Sequence, residues 1–514
     1  RDRHGAELGR RALSLPPETA PPTADTLQEG DDIKALAKGG RTNFFGFLLR
    51  LAARLPFLFI AGRWYGAEAL GRFAYAVIIV EFVATLATLG LKRGLAEQLS
   101  ATDRPHVHVV WDGLLMGAIA SAVAATVLGA VPELMFPNSG INGLEWLLPL
   151  TIFALAWSDI ALAALAYRLD IGATVRARSV IEPWTISIAA FGLAFYSLRD
   201  GLIIAYVVSM VAALVASIWP LLKSFGWPHG WRPRPAALFM LARRNVPLAA
   251  ADAIEWGSRR LDIAILGLFF SPVIVGIYYV AQQVASLPQK LKTSFDPILG
   301  PVITRNLEAG NRLAVAKQVA QVGFWIIAAQ TAVGLALGIP GEGVMGLVGP
   351  NFVAGNTALA FLLIAEVVAA TAAVSEAALI YVARHLNLWI SMGMIGIQIM
   401  LSFAIVMIMR DQFALPVLWQ AAGPAIALAM ALGIASIMKA KLLSRLLGAP
   451  VSGWRWPLVW AALAAGVVGY LATRLPEWLE LLLGIPAILL VFGAIIWRFG
   501  FTSEDRTLFR LKEA

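Results

Sequence analysis

Charged side chains inside apolar stretches of membrane-spanning length are where this sequence can do chemistry. The stretch "NFFGFLLRLAARLPFLFIAG" (43–62) carries Arg50 and Arg54, four residues apart. On a helix they lie about 40° apart, on one face with Asn43. At 1.5 Å per residue they sit roughly 10 and 16 Å from the edge of the span, too deep to snorkel out easily. Each opposes insertion by roughly 2.5–3.5 kcal/mol at a helix centre. Charges held at such depth face a bundle interior or a wet cavity. The planar guanidinium fork suits phosphate and diphosphate oxygens, which makes an anion the first ligand to consider.

Further charges lie in later apolar stretches. One of them, 246–270, holds Asp252, Glu255, Arg259, Arg260 and Asp262, where Glu255 and Arg259 are spaced to neutralise each other on one face. Lys290 and Lys292 close the following stretch near its edge, where snorkelling is easy. Glu81 and Asp159 fall at roughly the depths of Arg54 and Arg50, so internal ion pairing is the alternative to ligand contact for the two arginines. Glu366 has no base within its own helix. A buried carboxylate without a partner prefers its neutral form, which suits proton coupling; a partner on another helix or a wet groove serves as well. The spans hold six bases but eight acids well inside them, Asp296 and Glu376 completing the eight, with Asp112, Glu182, Glu477 and Glu480 near span edges, so an anion site must be local. Pro56 and Pro288 remove backbone donors beside these charges and are expected to act as hinges. No metal-ligand or catalytic constellation is present in the pattern.

The elements that must position these residues follow from composition. Of 514 residues, 59% are hydrophobic and only 14% charged, and mean hydropathy is +0.74. A soluble chain carries about 25% charged residues, so this is an all-α polytopic membrane protein. Fourteen stretches reach spanning length: 43–62, 73–91, 110–131, 146–167, 179–197, 201–222, 246–270, 273–298, 318–339, 357–382, 386–409, 414–437, 456–473 and 477–497. With the tail inside, loops on that side hold 23 Lys and Arg and residues 1–42 seven more, against five outside. This alternation places both termini in the cytoplasm and explains most of the formal charge of +9, so no nucleic-acid partner is called for. The Pro- and Thr-rich tail is expected to be disordered. Trp64, Tyr65, Trp146, Trp219, Trp456 and Trp478 fall at span ends and read as an aromatic belt. With no cysteine, disulfides and cysteine-ligated metals are excluded.

An internal repeat organises the spans. Shifting the sequence by 205 residues aligns Arg54 with Arg259, Gly62 with Gly267, Gly71 with Gly276 and Ala76 with Ala281. An even number of spans separates the copies, which gives them one orientation and predicts two six-helix lobes in parallel repeat. The expected division is an N-lobe over 41–223, an interfacial cytoplasmic linker over 224–245, a C-lobe over 246–438, and two additional helices with a short tail over 439–514.

Three stretches resemble bacterial lipid-linked oligosaccharide flippases of the polysaccharide-transport (Wzx) family, within the multidrug/oligosaccharidyl-lipid/polysaccharide superfamily. They are "YGAEALGRFAYAVIIVEFVATLATLGLKRGL" (65–95), "RLDIGATVRARSVIEPWTISIAAFGLAF" (168–195) and "RRLDIAILGLFFSPVIVGIYYVAQQVASLPQKL" (259–291). The resemblance implies a V-shaped two-lobe bundle in the bacterial inner membrane, with the first and seventh spans lining a central cavity. It also implies transport of undecaprenyl-diphosphate-linked oligosaccharide to the outer leaflet for O-antigen, capsule or exopolysaccharide assembly, alongside polymerase machinery. No cofactor is implied beyond coupling to a proton or sodium gradient or the membrane potential. A peptidoglycan-precursor flippase and a multidrug antiporter are the alternatives within the superfamily. Integral polymerases and ligases resemble chains with a large outer loop bearing catalytic Arg or His, and the longest outer loops here, 132–145 and 340–356, contain neither. On this reading Arg54 and Arg259 clamp the diphosphate across the pseudo-twofold, Arg50 and Arg260 support them, and Glu81 and Asp159 neutralise the first-span arginines when cargo is absent.

Overall fold

A computed structural model describes residues 55–100, 104–141, 143–168, 170–293, 303–502 and 505–508. Within these ranges the regular structure is all helical, joined by turns and short loops. We label the longer helices α1 (Gly66–Ala87), α2 (Leu91–Ser100), α3 (His106–Ala130), α4 (Thr151–Tyr167), α5 (Glu182–Ala194), α6 (Gly201–Phe225), α7 (Pro235–Phe269) and α8 (Pro272–Thr293). The remainder are α9 (Arg312–Gly338), α10 (Asn356–Ala370), α11 (Ala373–Val382), α12 (Arg384–Met407), α13 (Gly423–Leu447), α14 (Pro457–Ala472) and α15 (Ile485–Ile495). Among the described residues, nine helical runs are long and apolar enough to cross a membrane on their own. Large apolar side chains such as Val123, Trp219, Met400 and Leu490 stay exposed on them, as lipid-facing positions do. The chain is a multi-pass membrane protein.

The end of the bundle that loop charges assign to the outside is packed shut by glycines of the repeat. At Gly71 a Cβ would lie 2.6 Å from the Gly276 nitrogen and still closer to the Pro272 carbonyl oxygen. At Gly276 it would lie 3.0 Å from the Gly71 nitrogen, so the two glycines are each other's neighbours. Gly267 sits against the ring of Tyr75, and Gly62 against Val348 and Phe352. All four glycines that the 205-residue shift aligns therefore lie on this seam, and the aligned Ala76 and Ala281 are both fully buried. Close helix approach in a membrane depends on small residues of this kind, which is why the repeat keeps them. The loop between α3 and α4 closes over the same seam. Asn138 donates to the carbonyls of Gly267 (2.6 Å) and Phe270 (2.9 Å) at the end of α7, and Arg72 pairs with Glu145 and donates to Gly140 O at 2.8 Å.

Several elements differ from expectation. The helix α7 begins at Pro235, within the expected 224–245 linker, because Pro235 at the first helical position is pre-organised for a helix start and good helix formers follow. The remaining linker is pinned down. Trp231 Nε1 donates to buried Asp112 at 2.9 Å, Arg104 takes its other oxygen, and Trp111 stacks on Trp227. The helix α13 runs to Leu447, past the expected limit of 437, and carries Lys439 into the interior. Tyr65 leaves the aromatic belt: it is buried and donates to Ala190 O at 2.7 Å. The two C-terminal helices α14 and α15 pack through Leu458, Ala461, Ile488 and Phe492 into the core around α9.

Candidate functional site

Between α1 and α2 the chain turns through two left-handed residues, Leu89 (φ 50°) and Gly90 (φ 70°). A non-glycine residue in that region costs roughly 1–2 kcal/mol, and the turn aims the next residues, Lys92 and Arg93, at two neighbouring helices. Lys92 Nζ lies 3.5 Å from Asp159 of α4. Arg93 reaches α7, with Nε 2.5 Å from Asp252 Oδ1 and Nη2 bonded to Glu255. One turn on, Arg244 pairs with Glu97 at 2.5 Å. Gly90 and Gly94, spaced as G-x-x-x-G, let α2 lie directly on Ala249, Asn245 and Leu248 of α7. Phe82 and Trp256 pack at a tilt further along, with centroids 5.0 Å apart. The helix α7 is thus zipped along α1 and α2 from the charge-assigned inner end to the outer seam.

This zipper holds half-exposed charge over buried charge. Arg93 and Glu255 have side chains 45% and 50% exposed, whereas Asp252 is 6% exposed and its Oδ2 has no hydrogen-bond partner among the described residues. Asp159, 23% exposed, is also paired with Arg178, which in turn holds Glu182 at 2.8 Å one helical turn away. Arg178 sits in a π-helical turn, Val175–Ile181, a local widening that is frequent at functional sites. Asp262 is buried and held by neutral donors: Tyr278 Oη at 2.8 Å and Gln282 Nε2 at 3.0 Å, both from α8. In the second half of the chain Lys439 bridges Glu376 of α11 (3.0 Å) and Ser391 of α12 (3.0 Å).

The sequence-predicted residues divide as follows. Asn43, Arg50, Arg54 and Asp296 lie outside the described residues. Arg259, Lys290 and Lys292 lie on α7 and α8, with side chains outside the described set. Arg260 and Glu366 are partly buried on α7 and α10. Asp252 and Glu255 come together on Arg93 of another helix, while the expected pairing of Glu255 with Arg259 involves a side chain outside the described set. Asp159, expected opposite Arg50, has Arg178 and Lys92 as its described partners. Pro288 lies inside α8, and its carbonyl accepts from Gln330 of α9 at 2.9 Å. Pro56 lies one residue into the described helical run that starts at Leu55. Sequence reading missed Lys92, Arg93, Arg178, Tyr278, Gln282 and Lys439. The signal for the first two was the pattern "GLKRG" (90–94), a basic pair inside a close-packing glycine motif.

The arrangement can hold an anion by exchange. Arginine forks already engaged by carboxylates are placed to pass their donors to a phosphate oxygen of equal charge-assisted strength.

A family described as "Polysaccharide biosynthesis protein" matches residues 61–337, more than half of the chain. No curated protein sequence matches it. Among solved structures, the lipid II flippase MurJ in an inward closed conformation superposes with a TM-score of 0.67, covering 88% of this chain and 97% of that one at 12% identity. A multidrug resistance MATE family transporter of the MOP superfamily, in an inward-facing conformation, gives 0.60 over 78% and 98% at 13% identity. A MOP superfamily transporter from Pyrococcus furiosus, titled for the reverse polarity of its binding pocket, gives 0.54 over 82% and 96% at 13% identity. The fold is therefore the one these transporters share, and by its sequence the chain belongs to the polysaccharide biosynthesis protein family.

Proposed function

We propose that this protein is a flippase that moves undecaprenyl-diphosphate-linked oligosaccharide from the cytoplasmic to the outer leaflet of the bacterial inner membrane by alternating access. The observation that carries the reading is the pairing of a glycine-packed outer seam with a half-exposed layer of exchangeable arginine–carboxylate pairs on the other half of the molecule. A closed outer end and an anion-exchanging inner half suit a lipid diphosphate entering from inside. Arg54 and Arg259 form the diphosphate clamp, Arg50 and Arg260 support it, and Lys92 and Arg93 extend the basic surface. Lys290, Lys292 and Asn43 complete the cargo-facing set. Coupling to a proton or sodium gradient, or to the membrane potential, runs through in-span carboxylates, with Asp262 and Glu366 the candidates. Polymerase machinery is the expected neighbour, and the chain itself is a transporter and not an enzyme.

Depletion in the native cell followed by lipid extraction tests the reading. Diphosphate-linked oligosaccharide should accumulate on the inner leaflet. The likeness to MurJ keeps a second cargo in view, so accumulation of the lipid-linked peptidoglycan precursor instead would replace the first. Unchanged lipids with raised drug sensitivity would favour an antiporter. Arg54→Lys and Arg259→Lys should insert normally yet fail to support export, because lysine keeps the charge but loses the two-pronged geometry. Export at wild-type levels by both variants would remove the clamp.

A further inference from the structure

The last span presents two different faces. Ile488, Phe492 and Ile496, each under 5% exposed, turn into the core. Leu490 is 72% exposed and Trp497 45% on the adjoining side, where an open groove of about 590 Å³ runs down the helix. Gly493 forms its floor, and a Cβ there would meet open space. At the charge-assigned inner end of the groove stand two guanidinium groups, Arg498 and Arg506.

Arg506 is held in place by its neighbour. Asp505 is fully buried and accepts from Arg455 (2.5 Å), Trp325 Nε1 (2.9 Å), Gln321 Nε2 (3.0 Å) and the Thr502 backbone and hydroxyl (2.9 Å each). With Asp505 so fixed, Arg506 folds back over the groove: its guanidinium lies 5.7 Å from the Trp497 indole and donates to the Trp497 carbonyl at 3.4 Å. An open, largely apolar groove ending in a tryptophan and two arginines fits an amphiphile with an acyl chain and an anionic head.

We propose that this groove binds one anionic glycerophospholipid of the inner leaflet, with an acyl chain along Leu490 and Gly493 and the phosphate between Arg498 and Arg506. The site is separate from the cargo and stands whether or not the proposed cargo is right. Each basic residue at an anionic surface contributes about a fivefold preference, so two give roughly thirtyfold.

The test is native mass spectrometry of the full-length chain titrated with phosphatidylglycerol or phosphatidylcholine of matched chains. Wild type should retain phosphatidylglycerol about thirtyfold more tightly. Arg498→Gln with Arg506→Gln should bring the two lipids close to parity, and Gly493→Trp should weaken both by filling the groove. If Gly493→Trp does not fold, the charge variants decide alone. Equal retention of the two lipids by wild type, or a preference that survives the double glutamine variant, overturns the proposal. So does stoichiometric displacement of phosphatidylglycerol by undecaprenyl phosphate, which would make the cargo's own lipid the occupant.

Discussion

If the outer seam is a gate, adding one methyl group at the pseudo-twofold contact should hold it open. Gly71→Ala places a Cβ 2.6 Å from the Gly276 nitrogen and closer still to the Pro272 carbonyl oxygen, where ordinary contact begins at 3.4 Å. The obstacles are backbone atoms of α8, which no rotamer change can move aside. To clear the Pro272 oxygen the helices must part by more than an ångström, and overpacking of this kind costs about 1–3 kcal/mol. The same substitution favours each helix taken alone, since alanine exceeds glycine in helix propensity by about 1 kcal/mol. Global stability should therefore change little, while the closed state loses roughly 5- to 150-fold in population relative to an open one. Gly276→Ala should act alike, with a Cβ 3.0 Å from the Gly71 nitrogen. The chain has no cysteine, so a single reporter is clean. Val275→Cys lies 2% exposed beside the contact and should react slowly with a membrane-impermeant maleimide from outside. In the alanine backgrounds its rate should rise about tenfold or more. Unchanged labelling in both backgrounds, at normal protein levels, refutes the argument that these glycines set the closed state.

Two further perturbations address the inner half. Arg93→Gln should destabilise the protein in detergent by about 2–3 kcal/mol, because it strands buried Asp252, and adding Asp252→Asn should recover most of the loss; thermal unfolding of the four members of the cycle measures it, and additive effects would show that the pair is not coupled. Asp505→Asn should cost about 2 kcal/mol through the lost charge-assisted bond to Arg455. Burial pushes the Asp505 carboxyl up, but the donors from Arg455 and Thr502 outweigh burial and hold it below the usual carboxylate range. Its contribution is then complete above the unfolded value of about 3.9 and is lost as pH falls through the folded value below that. The stability difference between wild type and Asp505→Asn should accordingly be flat near neutral pH and shrink below about pH 4; a difference that grows on acidification would contradict the assignment.

What the sequence could reveal divided along physical lines. Helix positions were legible because membrane insertion demands long apolar runs whatever their neighbours, and thirteen of the fourteen expected stretches fall on described helices. The repeat was legible through its glycines, since a backbone contact near the pseudo-twofold tolerates nothing larger. The described charge pairs between helices were not legible. Within one helix the i,i+4 rule joins Glu255 to Arg259, whose side chain lies outside the described residues; nothing in the pattern foretold that Glu255 would also meet Arg93, 162 residues away, brought there by the left-handed turn at Leu89 and Gly90. Asp159 likewise went to Arg178 and Lys92, and Asp262 to two neutral side chains that hydropathy alone ranks as ordinary span residues. In a membrane bundle the cost of a buried charge makes a partner necessary but does not choose it. Helix packing makes that choice, and packing here is set by small residues. The "GLKRG" stretch joins the two effects: its glycines bring α2 onto α7, and the arginine between them meets the carboxylates that this approach would otherwise leave facing one another. Replacing those glycines should therefore disturb the ion pairs of Arg93 as surely as replacing Arg93 itself.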